Sequence, residues 1–201
     1  MRHNKKQSEN WKIPLILFLS IIFLFAAVLF FFQTSKIPER PGYLKINNET
    51  MICNYYYLCF LKNGTWHRPG YNAGTNLILA NDLKVENESI IKKFFESKKI
   101  NIVVNTTEQR SSENAELILR VTPFSNYLSY YYNRIRGENK IIEPYILSQY
   151  NSTEPAIIIF GPGLGAEKDL IEFDGKNIIV EGQSSDKLSL ILGKLLLIIV
   201  S

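Results

Sequence analysis

Residues 157–169, IIIFGPGLGAEKD, put Gly161, Gly163 and Ala166 directly after an apolar run. This is the G-x-G-x-x-G/A spacing that seats a dinucleotide pyrophosphate on a helix start, with an acidic residue about 20 positions further on for the ribose. Glu181 stands near that place. The fingerprint needs strand, turn, helix and strand in that order. The apolar run supplies the first strand. Between Ala166 and the Asp174-Gly175 turn only residues 167–173 remain, and they alternate as a strand. The glycines are therefore expected to turn the chain after a buried strand, and no cofactor is expected. A phosphate-binding loop fits less well still, because the closing Gly-Lys-Ser/Thr is absent.

Acid–base and metal chemistry have little to work with. After residue 33 the only histidine is His67, beside Trp66 in an expected hairpin, where it reads as a surface residue. Two thiols without neighbouring histidines make an incomplete metal shell. Glu86 with Glu88, and Glu167 with Asp169, read as solvated faces. A glycan hydrolase remains the alternative, since its two carboxylates can lie far apart in sequence.

The two thiols are Cys53 and Cys59. Six residues apart on one straight strand, their Cα atoms would be about 20 Å apart, too far to bridge. A disulfide needs the chain to turn within residues 54–58, and it needs an oxidising compartment. The alternative is a pair of free thiols. Five Asn-x-Ser/Thr sequons begin at Asn48, Asn63, Asn87, Asn105 and Asn151. All are glycosylation candidates if this part of the chain lies outside the cell.

Residues 13–32, IPLILFLSIIFLFAAVLFFF, are uncharged. As a helix they would span about 30 Å, the thickness of a hydrocarbon core. Trp11 and Lys12 stand at one end. The expectation is a single transmembrane helix; a cleaved signal peptide, with its shorter core and small-residue exit, is the alternative. Basic residues before the helix favour a cytoplasmic N-terminus and an extracytoplasmic C-terminal domain in the cell membrane. Four of the 23 basic residues precede the helix, so the rest of the chain is nearly neutral. That balance argues against nucleic-acid binding.

The elements that would position these groups follow from pattern. Residues 1–12 read as a cytoplasmic tail, 13–32 as the membrane helix, and 33–46, with two prolines and a glycine, as a stalk. Residues 47–72 hold the cysteines and the hairpin dipeptide Asn63-Gly64. Residues 73–201 read as an α/β domain, with α+β possible, built on one mixed sheet. Within it, Ile90, Ile91, Phe94 and Phe95 mark one helix face, and residues 100–105 a strand. Residues 115–121 alternate as a half-buried strand. A helix is expected from Ser125 to Gly137. Residues 140–150 are ambiguous, 156–160 are a buried strand, and 170–182 a hairpin around Asp174-Gly175. The last helix, capped by Ser184 or Ser185, is too short for a second span and interrupted by Lys194, so burial against a sheet is expected.

Tyrosines are unusually clustered. Tyr127, Tyr130, Tyr131 and Tyr132 fall in one expected helix, and Tyr55, Tyr56 and Tyr57 lie between the cysteines. At helical spacing the first three of the cluster share a face and Tyr132 points elsewhere. Tyrosine suits interfaces because it joins an apolar body to a polar tip. The four are therefore interface candidates, with ordinary amphipathic packing as the alternative. Finally, residues 156–199 resemble the closing segment of archaeal surface-layer-type domains. The matching features are 157–160, Gly161-Pro162, 178–182 and the helix from Asp186; Phe160 stands where that family carries the first glycine of a Gly-Gly-Pro turn. The resemblance implies an envelope protein that works by assembly. Together these features point to a non-catalytic surface component that binds an envelope or membrane-complex protein, with glycan a further possible partner. A membrane-anchored glycan hydrolase and an accessory subunit of a membrane complex are the alternatives.

Overall fold

Two sheets enclose a layer of helices. The computed structural model describes residues 41–106, 112–147 and 154–201. The first sheet is an antiparallel meander of β1 (Leu44–Lys45), β2 (Thr50–Cys53), β3 (Tyr57–Lys62) and β4 (Thr65–His67). Asn63 (φ 51°) and Gly64 (φ 75°) make its β3–β4 turn, both left-handed as a tight hairpin requires. The second sheet contains β5 (Lys99–Asn105), β6 (Ile141–Leu147), β7 (Ala156–Phe160), β8 (Leu170–Phe173) and β9 (Ile178–Glu181), in the order β6-β5-β7-β9-β8. Only β8 runs antiparallel to its neighbour, as the first arm of the Asp174-Gly175 hairpin.

Between the sheets lie α1 (Leu77–Asn81), α2 (Glu88–Phe94), α3 (Ser112–Ser129) with a π-helical continuation (Tyr130–Arg136), and α4 (Ser185–Val200). Asn76 caps α1 through the N–H groups of Ile78 and Leu79, and Ser184 caps α4 through that of Lys187. Helix α4 is buried on nearly every side, as an all-round apolar helix must be. One core unites Ile52, Leu58 and Phe60 of the first sheet, the helices, and Ile100, Ile102, Ile157, Ile159, Ile178 and Val180 of the second. The opposite face of the second sheet, with Val103, Ile158 and Ile179, lies outside that core.

Strand β6 forms an edge and contains Pro144. The N–H of Ile141 donates to Lys98 of the preceding chain, so by alternation the position of Pro144 faces the free edge. A proline costs no ladder bond there, and it blunts the edge against further pairing.

Several expectations are corrected. Residues 73–201 hold one mixed sheet, and the element expected at 47–72 as a hairpin is a four-stranded sheet that starts at Leu44. Among the described residues no helix is long and apolar enough to cross a membrane. The N-terminal transmembrane helix therefore leaves the fold description; residues 13–32, where it was expected, lie outside the described residues, as do the tail 1–12 and positions 33–40 of the stalk. The last part of that stalk is not a spacer, because Leu44 and Lys45 pair with Ile52 and Met51. The helix expected around Ile90 is α2, and a second short helix, α1, precedes it. The strand expected at 115–121 is the middle of α3: Leu117, Val121, Phe124 and Leu128 form a helical stripe into the core, while Leu119, part of the apparent alternation, is 71% exposed. Ser125 is therefore inside that helix and not its start. Pro123 also lies inside it; the carbonyl it cannot pair with belongs to Leu119, on the exposed side.

Candidate functional site

The glycine turn is built for packing. Residues 167–173 form a turn and β8, not a helix. The Glu181 carboxylate, which a ribose would need, instead accepts the N–H groups of Glu167 (2.9 Å) and Lys168 (3.3 Å) and closes the turn onto β9. Asp169 accepts from the N–H of Gln183 at 2.8 Å. A Cβ on Gly161 would lie 2.9 Å from Leu117 Cδ1, and one on Gly182 would lie 2.5 Å from Leu188 Cα. These glycines let α3 and α4 approach the strand ends, which leaves the pyrophosphate spacing without a ligand role.

The tyrosine cluster divides. Tyr127 and Tyr132 are 1% and 6% exposed, while Tyr130 and Tyr131 are half-buried. The cause is the π-helical segment. Its wider turn, with i→i+5 bonds, shifts the phase from Tyr130 onward, and Tyr132 lies inward with Tyr127, against the expectation from a 3.6-residue repeat. Gly137 (φ 69°) ends the segment as expected. Two of the four interface candidates thus offer no contact area. Tyr132 instead forms the floor under Lys140, whose Nζ lies 3.7 Å from the ring centroid. That ammonium also donates to the Phe95 carbonyl and pairs with Glu138 at 3.4 Å. Burial pushes the Lys140 pKa down and the Tyr132 pKa up. No pattern in the sequence marks Lys140; it is reached only through the altered helical phase.

The cysteines form a disulfide across β2 and β3, with Cα atoms 6.0 Å apart. The required turn lies at residues 54–56, where Asn54 (φ 59°) and Tyr55 (φ 56°) are both left-handed. Asparagine tolerates that conformation; for tyrosine it costs on the order of 1–2 kcal/mol. Three backbone bonds hold it: Tyr55 N–H to Gly42 O (3.0 Å), Leu77 N–H to Tyr55 O (2.7 Å) and Ala73 N–H to Tyr56 O (2.7 Å). Gly42 has no room for a side chain, since a Cβ would lie 2.6 Å from the Tyr55 ring. Tyr56 in the turn is 46% exposed, and the segments bonded to the turn expose Tyr43, Leu44 and Leu79 (55%). Sequence reasoning placed the bridge and the tyrosines here but could not see the left-handed pair.

Of the glycosylation candidates, Asn48, Asn63 and Asn87 are exposed, Asn105 is half-buried, and Asn151 lies outside the described residues. Carboxylates line several clefts among the described residues. Glu113 and Glu116 line a cavity of about 40 Å³, room for water but not a sugar ring. Glu96 and Glu138 share a larger cleft of about 290 Å³, but Glu138 is engaged by Arg136 at 2.9 Å as well as by Lys140. A second cleft, of about 310 Å³, contains one carboxylate, Glu88, which is paired with Lys194 at 3.2 Å. No group of three His, Cys, Asp or Glu side chains that could hold a metal occurs among the described residues. No family model, curated protein or solved structure matches this chain.

Proposed function

We propose that this chain is a non-catalytic binding module of the extracytoplasmic space, and that it engages an envelope or membrane-complex protein through the tip of its small sheet. The observation that carries the reading is Tyr55. A bulky residue in the left-handed region persists only where its surroundings over-determine it, and such strain gathers at sites of recognition. Here a disulfide, a glycine without room for a side chain, and three backbone bonds fix a loop that exposes Tyr56, and the segments bonded to it expose Tyr43, Leu44 and Leu79. A loop ordered before binding loses little entropy on contact. The disulfide fits an oxidising compartment, and the resemblance of residues 156–199 to surface-layer-type domains points to assembly.

The test is position-specific crosslinking in the cell that makes the protein. A photoreactive residue at position 56 is expected to join the chain to one defined protein. The same residue at position 172, exposed on β8 of the other sheet, is expected to give no such product. Tyr56→Ser should weaken capture of that partner about tenfold, the effect of losing one aromatic anchor, with thermal stability unchanged. Equal crosslinking from both positions, or capture indifferent to Tyr56→Ser, refutes the proposal.

A further inference from the structure

We infer that the domain is modified by N-linked glycans at Asn48, Asn63 and Asn87, and that Asn105 stays bare although its sequon is intact. The inference rests on the extracytoplasmic reading above. The reaction joins the asparagine amide nitrogen to C1 of a sugar carried on a polyprenyl phosphate. The N–C1 bond forms, the C1–O bond to phosphate breaks with its electron pair leaving on phosphate, and the amide gives up one proton. It therefore needs an amide nitrogen free of structural duty and open space around it.

The four described sequons separate on those two requirements. Asn63 sits at the β3–β4 turn, exposed, with no atom within 4 Å of where a Cβ on Gly64 would lie. Asn48 is exposed in the β1–β2 connection, and the bond that shapes that connection uses Asn47, whose Oδ1 accepts from the N–H of Glu49 at 2.8 Å. Asn87 precedes α2 in the left-handed conformation and makes no side-chain cap bond. Asn105 differs on both counts. Its Nδ2 donates to the Leu164 carbonyl at 3.0 Å and ties the end of β5 to the glycine turn. Even a Cβ on Gly165 would come within 3.6 Å of that nitrogen. A sugar there would break the bond and displace the turn.

Two of the positions also share one end of the small sheet. Asn48 and Asn63 lie at the same end of the small sheet, since the β1–β2 and β3–β4 connections both flank the Thr50↔Phe60 end of the β2–β3 pair. The tip at residues 54–56 is at the other end, about 15 Å away along the strands. Glycans on Asn48 and Asn63 therefore stand away from Tyr56.

The test is glycopeptide mass spectrometry on the full chain expressed through a glycosylating secretory pathway. Enzymatic deglycosylation in heavy-oxygen water marks each occupied asparagine, and the same non-reducing digest reads the Cys53–Cys59 bridge. Marks at Asn48, Asn63 and Asn87, with Asn105 unmarked, are expected. Asn63→Gln should remove one glycan from the intact mass, and Asn105→Gln none. A mark on Asn105, or three bare exposed sites, overturns the inference. If the three are bare and the disulfide is present, the glycan inference falls alone. If the disulfide is missing as well, the extracytoplasmic reading falls with it.

Discussion

Tyr127 joins the helical layer to the small sheet through one hydroxyl, and removing that oxygen tests the layered fold. The ring is 1% exposed. Its oxygen accepts the N–H of Leu58 at 3.3 Å and donates to the carbonyl of Tyr71 at 3.1 Å. Leu58 lies past the end of the β3–β4 ladder, which stops at Phe60↔His67, so its N–H has no strand partner on that side. Tyr127→Phe keeps the ring and its edge-on contact with Tyr71, 5.3 Å between centroids. What is lost is two hydrogen bonds, and a buried donor is left unpaired. Each orphaned group costs about 1–3 kcal/mol, and the longer bond is weaker than ideal, so a loss of about 2–3 kcal/mol is expected. For a domain of this size that lowers Tm by about 5–10 °C. In urea the midpoint should fall with the slope unchanged, because the surface exposed on unfolding is the same. Alkaline titration adds a second readout. Burial raises the Tyr127 phenol above its ordinary range, so the folded state favours the neutral form. Its contribution is complete below the unfolded value of about 10 and is lost as pH rises toward the folded one. The variant lacks this group, so the stability gap between the two proteins should narrow above pH 10. A gap under about 0.5 kcal/mol at neutral pH, smaller than one ordinary hydrogen bond, would refute the argument. So would a gap that stays constant through that titration.

Two further outcomes test other joints of the structure. Gly182→Ala puts a Cβ 2.5 Å from Leu188 Cα, so β9 and α4 must separate, with an expected loss of about 3 kcal/mol or more. Gly163→Ala meets no atom within 4 Å but holds φ 70°, so it should lose only about 1–2 kcal/mol from backbone strain; comparable melting of the two variants would contradict the close approach at Gly182. Asp174 shapes the β8–β9 turn. Partial burial pushes its pKa up, but the N–H groups of Asn177 (2.6 Å) and Lys176 (2.8 Å) outweigh this and hold it below the ordinary range. The lowered value means the turn is stabilised above about pH 3.9 and loosens as pH falls through the folded value. Amide exchange at residues 176 and 177 should accelerate there, and Asp174→Asn should remove the pH dependence.

The features legible in the sequence are those decided by neighbours along the chain. Asn63-Gly64 and Asp174-Gly175 make the expected turns, Ser184 caps the last helix, and residues 156–160 form the expected buried strand because each signal is local. The errors arose where a local pattern had two readings. Residues 115–121 alternate, and only the longer stripe from Leu117 to Leu128 shows the 3.6-residue period that packing selects. The tyrosines failed for a subtler reason. A π-helical turn shifts the phase and sets Tyr132 beneath Lys140, a contact between residues whose pairing no periodicity announces. The turn at residues 54–56 is half legible: the cysteine spacing demands a turn, but the left-handed Tyr55 depends on Gly42 and Leu77, which reach it only in the folded chain.

The glycine turn shows why motif and function separate here. Gly161 and Gly182 are positions where a helix comes too close for a side chain, and that demand arises equally in a nucleotide site and in a tightly packed sheet end. Glu181 distinguishes the two. In a nucleotide site a carboxylate near that place waits for a ribose; here it already holds the backbone of Glu167 and Lys168. With that acceptor spent on the turn and the helix replaced by β8, a ligand would have to displace the chain's own bonds. The spacing is satisfied by Leu117 and Leu188, which press against the two glycines from α3 and α4.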